Sequence, residues 1–240
     1  MKLTICSFIC PALIVATPSV ILFQESFEND DIHQVTSYQS SHSFRADTQN
    51  YWIRTDGLDI NTSASYTNFD GDFFWAAEDL DHNTGDKLDI KTITSHSIAV
   101  EKNEVLKVGA AFAVGDQAAF DRDDYIRLQY SEDQVTFQTL IDFRNPNEEF
   151  NQNLFLDTDQ DGYGDGQALS NSFHSFYALF SPQSEQIWLQ IEVHADSERE
   201  EVGFDNLVLL TTPIPEPSKT TLFIAVLVLI VVLWRVKMAE

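Results

Sequence analysis

Between residues 20 and 212, apolar and polar positions alternate in short runs, and no segment sustains a 3.6-residue period. The clearest run is DYIRLQY, residues 124–130, which puts Tyr125, Arg127 and Gln129 on one face and Ile126, Leu128 and Tyr130 on the other. QVTFQTLIDF, residues 134–143, repeats the pattern with β-branched and aromatic residues, and Ser131-Glu132-Asp133 between the two predicts a hairpin turn. Residues 104–114, EVLKVGAAFAV, are apolar on both faces, as in a buried strand. Segments 21–27, 51–54, 73–77, 89–99, 173–180, 187–193 and 202–210 complete a set of nine or ten strands. Short strands separated by turn clusters predict an all-β protein with two packed antiparallel sheets. The eighteen Phe and four Trp suit its interior.

Both ends break the alternation. Lys2 precedes an apolar stretch, residues 3–15, that leads into Ala16, Thr17, Pro18 and Ser19; this predicts a secretory signal peptide over residues 1–19. At the other end, residues 221–234 carry no charge, Gly or Pro, and Arg235 and Lys237 close the run. A hydrophobic helix followed at once by cations is a membrane stop signal. The run reaches the lower limit of about 17 residues for a span when residues 220–236 are counted and Arg235 snorkels. The predicted organisation is therefore a signal over 1–19, a β-sandwich ectodomain over 20–212 and a hydrophobic tail over 213–240.

Composition narrows the partners. Both cysteines, Cys6 and Cys10, lie in the signal, so the body cannot use disulfides and depends on its core or on metal. The chain carries −24; with four of the 14 basic and two of the 38 acidic residues in the end segments, the body carries about −26. Such a surface disfavours nucleic acid and favours divalent cations.

One loop is built for such a cation: Asp157-Thr158-Asp159-Gln160-Asp161-Gly162-Tyr163-Gly164-Asp165-Gly166. Alternate carboxylates of Asp157, Asp159, Asp161 and Asp165, with the Tyr163 carbonyl, can converge on Ca2+, which takes about six to eight oxygens. Gly162 sits where the chain must turn sharply. Four carboxylates in nine residues repel one another without a cation. The first nine positions resemble an EF-hand loop, but the twelfth is Ala168 and no amphipathic helix flanks it. The loop is more similar to the Asp-rich calcium loops of dockerin-like and thrombospondin type-three repeats.

The tail resembles the PEP-CTERM sorting signal of Gram-negative bacterial surface proteins: Pro215, Glu216, Pro217 and Ser218, then the apolar run, then the basic end. The resemblance implies an exosortase-type processing enzyme as partner, a membrane-held precursor, and delivery to the cell surface or an exopolysaccharide matrix. A second resemblance is to lectin-like and carbohydrate-binding-module-like jelly rolls, carried by ESFEND near the start and GFDNLVL near the end. It implies that the last strand lies beside the first. It also implies a structural calcium shared by Glu25, Glu28 and Asp205, with polysaccharide as the ligand class.

Around FFWAA, the acids Asp70, Asp72, Glu78, Asp79 and Asp81 form another cation site or the rim of an aromatic sugar face, for which Trp52, Trp75, Tyr51 and Tyr66 are the candidates. Asp121, Asp123 and Asp124 read as a solvated loop. Catalysis has little support. None of the six His falls in H-E-x-x-H, and there is neither a G-x-S-x-G elbow nor a cysteine nucleophile. The chain is expected to be a binding or structural protein. The alternatives are a glycosidase on the same fold, which needs two facing carboxylates, and a plain membrane-anchored ectodomain.

Overall fold

The computed structural model describes residues 15–16, 18–28, 37–41, 44–45, 48–81, 90–212 and 215–216. Its strands in chain order are β1 (Val15–Ala16), β2 (Ile21–Glu25), β3 (Tyr38–Ser40), β4 (Phe44–Arg45), β5 (Tyr51–Thr55), β6 (Phe74–Glu78), β7 (Ile90–Ser95) and β8 (Ile98–Ala99). There follow β9 (Leu106–Val114), β10 (Tyr125–Ser131), β11 (Phe137–Arg144), β12 (Phe155–Leu156), β13 (His174–Phe180), β14 (Gln186–His194), β15 (Val202–Thr211) and β16 (Pro215–Glu216). Residues 21–211 form one compact unit. In the other unit β1 pairs antiparallel with β16, so Pro215 and Glu216 of the Pro-Glu-Pro triplet are strand residues and Pro217 lies outside the described residues. The signal and the apolar tail run also lie largely outside them; among the described residues no helix is long and apolar enough to cross a membrane.

The larger unit is a β-sandwich of two antiparallel sheets. One runs β12-β11-β10-β14-β7-β3, with β8 beside β14. The other runs β13-β9-β15-β6-β5-β4, with β2 also on β15. The last long strand does lie beside the first: Leu207 is opposite Glu25. Period-two segments supply the inner faces. Ile126, Leu128 and Tyr130 of β10 meet Val108, Ala110, Phe112 and Val114 of β9 in the main core.

A second core covers the outer face of the β9-β15-β6-β5 sheet. Ala111 and Ala113 of β9, Ala76 and Phe74 of β6 and Tyr51 of β5 pack there under Ile60, Tyr66, Phe69 and Phe173. This explains why β9 and β6 are apolar on both sides: each strand has a core on each face. Gly203 of β15 is where the cover comes closest, since a Cβ there would stand 2.8 Å from the Phe173 ring. A side chain at this point would force the roof away from the sheet.

Candidate functional site

The Asp-rich loop follows β12 at the edge of the first sheet, where the Asp157 N–H donates to the Asp142 carbonyl at 2.9 Å. Asp157, Asp159 and Asp161 bring carboxylate oxygens within 4.8 Å of one another. Gly162 takes the left-handed φ of 93° that the turn requires, and its N–H donates to Asp157 Oδ2 at 2.8 Å. Asp157 is only 4% exposed, yet its Oδ1 has no hydrogen-bond partner. A buried carboxylate oxygen left unpaired is costly, and here it belongs to the carboxylate facing Asp159 and Asp161. Asp165 stands apart from the three. Its Oδ1 accepts from Thr158 N at 2.9 Å and Thr158 Oγ1 at 2.8 Å, which ties the end of the loop to its start and lowers the Asp165 carboxyl. Tyr163 donates its N–H to Asp161 Oδ1 at 2.9 Å, and its ring carries the Arg122 guanidinium 4.0 Å above it. Arg122 also donates to the Gly162 carbonyl at 2.9 Å.

The three terminal carboxylates converge only in part. Glu28 accepts the N–H groups of Asp72 and Phe73, and Asp205 accepts that of Asp70 at 2.8 Å, so both clamp the 70–73 turn. Burial, with Asp70 and Glu28 nearby, pushes the Asp205 carboxyl up to about 7. Glu25 instead accepts from Phe27 N at 2.6 Å and from the Ser37 hydroxyl. These residues do not form one of the compact ligand groups found among the described residues.

The aromatic expectation is corrected. Trp52 and Trp75 are 0% and 1% exposed, packed mostly in tilted and edge-to-face contacts with each other and with Phe27, Tyr38 and Phe204 in the main core, and have no surface to offer a ligand. Among the described residues, an accessible groove lies on the other sheet. It measures about 230 Å³, and Gln39, Thr92, Thr94, Gln134, Phe137 and Gln190 line it with two serines. Register builds it: Thr139, Gln129, Gln190, Thr94 and Gln39 stand directly opposite one another across β11, β10, β14, β7 and β3. Gln190 Nε2 donates to Thr94 Oγ1 at 3.0 Å and Gln129 Nε2 to Thr139 Oγ1 at 3.3 Å. Gln129 Oε1 is buried with no partner. The adjoining row carries two half-buried aromatics, Phe137 and Trp188, with Ser131 between them. On the other side lie Asp142, Arg127 and Glu192, with Arg127 bonded to Glu192 at 2.5 Å and Asp142 to Arg144 at 2.9 Å.

Two further groups contain buried carboxylates; for Asp124 the sequence suggested a solvated loop. Asp124 is 0% exposed and faces His194 Nδ1 at 3.3 Å; with Asp196 and Glu200 it forms a compact acidic group. Burial and the neighbouring Asp124 push the Glu200 carboxyl well up. At the edge of the second core, Glu78 and Glu201 are buried beside the Tyr51 and Tyr66 rings. Burial raises Glu78 to about 8 and Glu201 to about 7. No local motif marks this last group, because its members lie on four separate segments.

No protein-family model matches the chain, and no curated protein matches it. Solved structures to which the chain shows some similarity include a Stig cyclase from Fischerella sp. TAU, in complex with a pyrrolidinylidene-indole. It is 11% identical, with a TM-score of 0.48, over 82% of this chain and 99% of that one. The CBM22-1 xylan-binding domain of a Paenibacillus barcinonensis protein is 12% identical, with a TM-score of 0.36, over 82% and 99%. The K3 cleaved adhesin domain of the Porphyromonas gingivalis Lys-gingipain is 10% identical, with a TM-score of 0.43, over 80% and 100%. These likenesses are too distant to carry ligand or activity across. What the chain itself defines is a two-sheet antiparallel β-sandwich with a neutral polar groove on one outer face and an Asp-rich loop at one edge.

Proposed function

We propose that the chain is an exported, calcium-stabilised binding module that takes a neutral glycan across the outer face of its first sheet. The row Thr139–Gln129–Gln190–Thr94–Gln39 carries this reading. Planar amides and hydroxyls in line match the paired donors and acceptors of sugar hydroxyls, and Phe137 and Trp188 offer apolar surface to a ring face. The groove lining is neutral, which supports recognition of an uncharged ligand, and the body's charge repels anionic polymers. At about 230 Å³ the groove suits one ring of a longer chain lying across the sheet.

Calcium in this reading sits in the Asp157, Asp159 and Asp161 group, where it supplies the missing partner of Asp157 Oδ1. The sorting tail delivers the module to the cell surface or matrix after an exosortase-type enzyme acts on Pro215, Glu216 and Pro217. Affinity electrophoresis of the full chain in gels containing neutral polysaccharides tests the groove. Retardation by at least one polymer is expected. Gln39→Ala and Gln190→Ala should each weaken it about fivefold, the worth of one hydrogen bond of about 1 kcal/mol. Absence of retardation across neutral polymers, or retardation indifferent to both substitutions, overturns the glycan assignment. Intact-mass measurement on the exported protein tests the tail, with loss of the residues after the triplet as the expected result.

A further inference from the structure

We propose that Glu78 and Glu201, together with the Tyr51 and Tyr66 hydroxyls, hold a second, buried divalent cation of the calcium class beneath the 56–73 segment. The site does not depend on the Asp-rich loop. Strand register assembles it. Tyr51 of β5 stands opposite Glu78 of β6, and Val202 pairs with Ala77, which brings Glu201 alongside Glu78. Val202 also pairs with Val114, which puts Gly115 next to Glu201, and the Gly115 N–H donates to the Glu201 carbonyl at 2.9 Å. A Cβ on Gly115 would overlap Glu201 Oε2, so the absence of a side chain there is what lets the carboxylate lie in this row. Tyr66 comes down from the covering segment.

The carboxylates are held from outside and open on the inside. Ser63 of the cover gives its N–H to both oxygens of Glu201, at 2.8 and 2.9 Å, and its hydroxyl to Oε1 at 3.1 Å. The Arg199 N–H donates to Glu78 Oε1 at 2.9 Å. Glu78 Oε2, Tyr51 Oη and Tyr66 Oη make no hydrogen bond of good geometry, in side chains 0%, 0% and 8% exposed; the Tyr51 hydroxyl faces the Glu78 carboxylate and the Tyr66 hydroxyl faces the Gly115 N–H, each in strained alignment. Each tyrosine lies within electrostatic reach of both glutamates. Three poorly satisfied oxygens beside two buried carboxylates are costly without a further partner. Arg199 does not supply it, because its guanidinium bonds Asp116 and its side chain is 59% exposed. A hard divalent ion answers the donor set, which is all oxygen and doubly anionic; with no His or Cys at the site, it does not select a transition metal.

The roof makes the two cations distinguishable. Asp159 and Asp161 are exposed, so a chelator reaches a loop ion directly, whereas the Glu78 ion leaves only when the 56–73 segment lifts. The test uses the full chain in detergent micelles with the loop disabled by Asp159→Asn and Asp161→Asn, refolded with terbium(III). Terbium replaces calcium and emits when Tyr or Trp nearby is excited. The expected result is one retained equivalent with aromatic-sensitised emission that survives brief chelation and is lost in Glu78→Gln. Tyr66→Phe removes only a hydroxyl and keeps the ring packing; it should speed release, and it decides the matter if Glu78→Gln does not fold. No retained equivalent, or one indifferent to these substitutions, overturns the proposal.

Discussion

The Asp-rich loop and the Glu78–Glu201 chamber are both clusters of carboxylates short of partners, yet they are built in opposite ways. In the loop, three ligands come from five consecutive residues, a single glycine sets the turn, and two of the three acids face water. In the chamber, the acids are 123 residues apart in the sequence, both are buried, and a covering segment closes the space. The loop can form its site as soon as the turn forms. The chamber exists only after β5, β6, β9 and β15 are in register and the second core is closed. A cation would therefore order the loop locally, but in the chamber it would hold the whole sheet and its cover together.

The largest expected effect separates these roles. Saturating calcium at 100 to 1,000 times its Kd should stabilise the wild-type chain by about 3–4 kcal/mol for each site filled, or roughly 6–16 °C per site in a domain of this size. Calorimetry of the loop-disabled variant then divides the total. If the whole shift disappears with Asp159→Asn and Asp161→Asn, the chamber contributes nothing. Next come the two glycines. Gly115→Ala drives a methyl into Glu201 Oε2 and should cost about 1–3 kcal/mol as an overpacked site. Gly162→Ala meets no atom within 4 Å, so its cost should be only the strain of a left-handed alanine, about 1–2 kcal/mol. Urea denaturation checks both. A Gly162→Ala variant weaker than Gly115→Ala would reverse the assignment of which region is tightly packed.

The same division explains what was legible in the sequence. β10 alternates cleanly because one face enters the apolar core and the other carries polar groups, so its partition of Arg127 and Gln129 from Ile126 and Leu128 follows from period alone, although Tyr125, Gln129 and Ser131 on the polar face are also buried. β6 gives no such signal. All five of its residues are buried, since a second core lies on its outer face, and nothing in FWAAE says that Trp75 points inward and is unreachable. The strands β3, β4, β8 and β12, two or three residues long, are too short for any period to show. The Asp-rich loop was readable because its ligands are neighbours in the chain. The groove was half readable: Gln129 falls on a polar face, but its alignment with Gln190, Thr94 and Gln39 is a matter of register across four strands. Glu201 lies in a run of acids, EREE, that suggests solvent; Gly115 and Ser63, both distant in sequence, are what bury it.

The smallest effect concerns protons, and it has opposite signs in the two regions when calcium is chelated. Hydrogen bonds from Thr158 lower the Asp165 carboxyl below its ordinary 3.8, so its contribution is present above pH 3.8 and is lost as pH falls through the lowered value. Burial raises Glu78 from 4.5 to about 8, so keeping it inside costs nothing below pH 4.5 and progressively destabilises the fold as pH rises through about 8. Thermal unfolding in chelator should therefore lose stability between pH 4.5 and 8 in the wild type, and lose less of it in Glu78→Gln, where no charge has to be buried. Asp165→Asn should leave that alkaline limb unchanged and flatten only the acid one. Calcium should flatten the alkaline limb in the wild type, because an ion between Glu78 and Glu201 takes over the work of the proton. If calcium leaves the alkaline limb of the loop-disabled chain as steep as chelator does, the chamber holds protons and no metal.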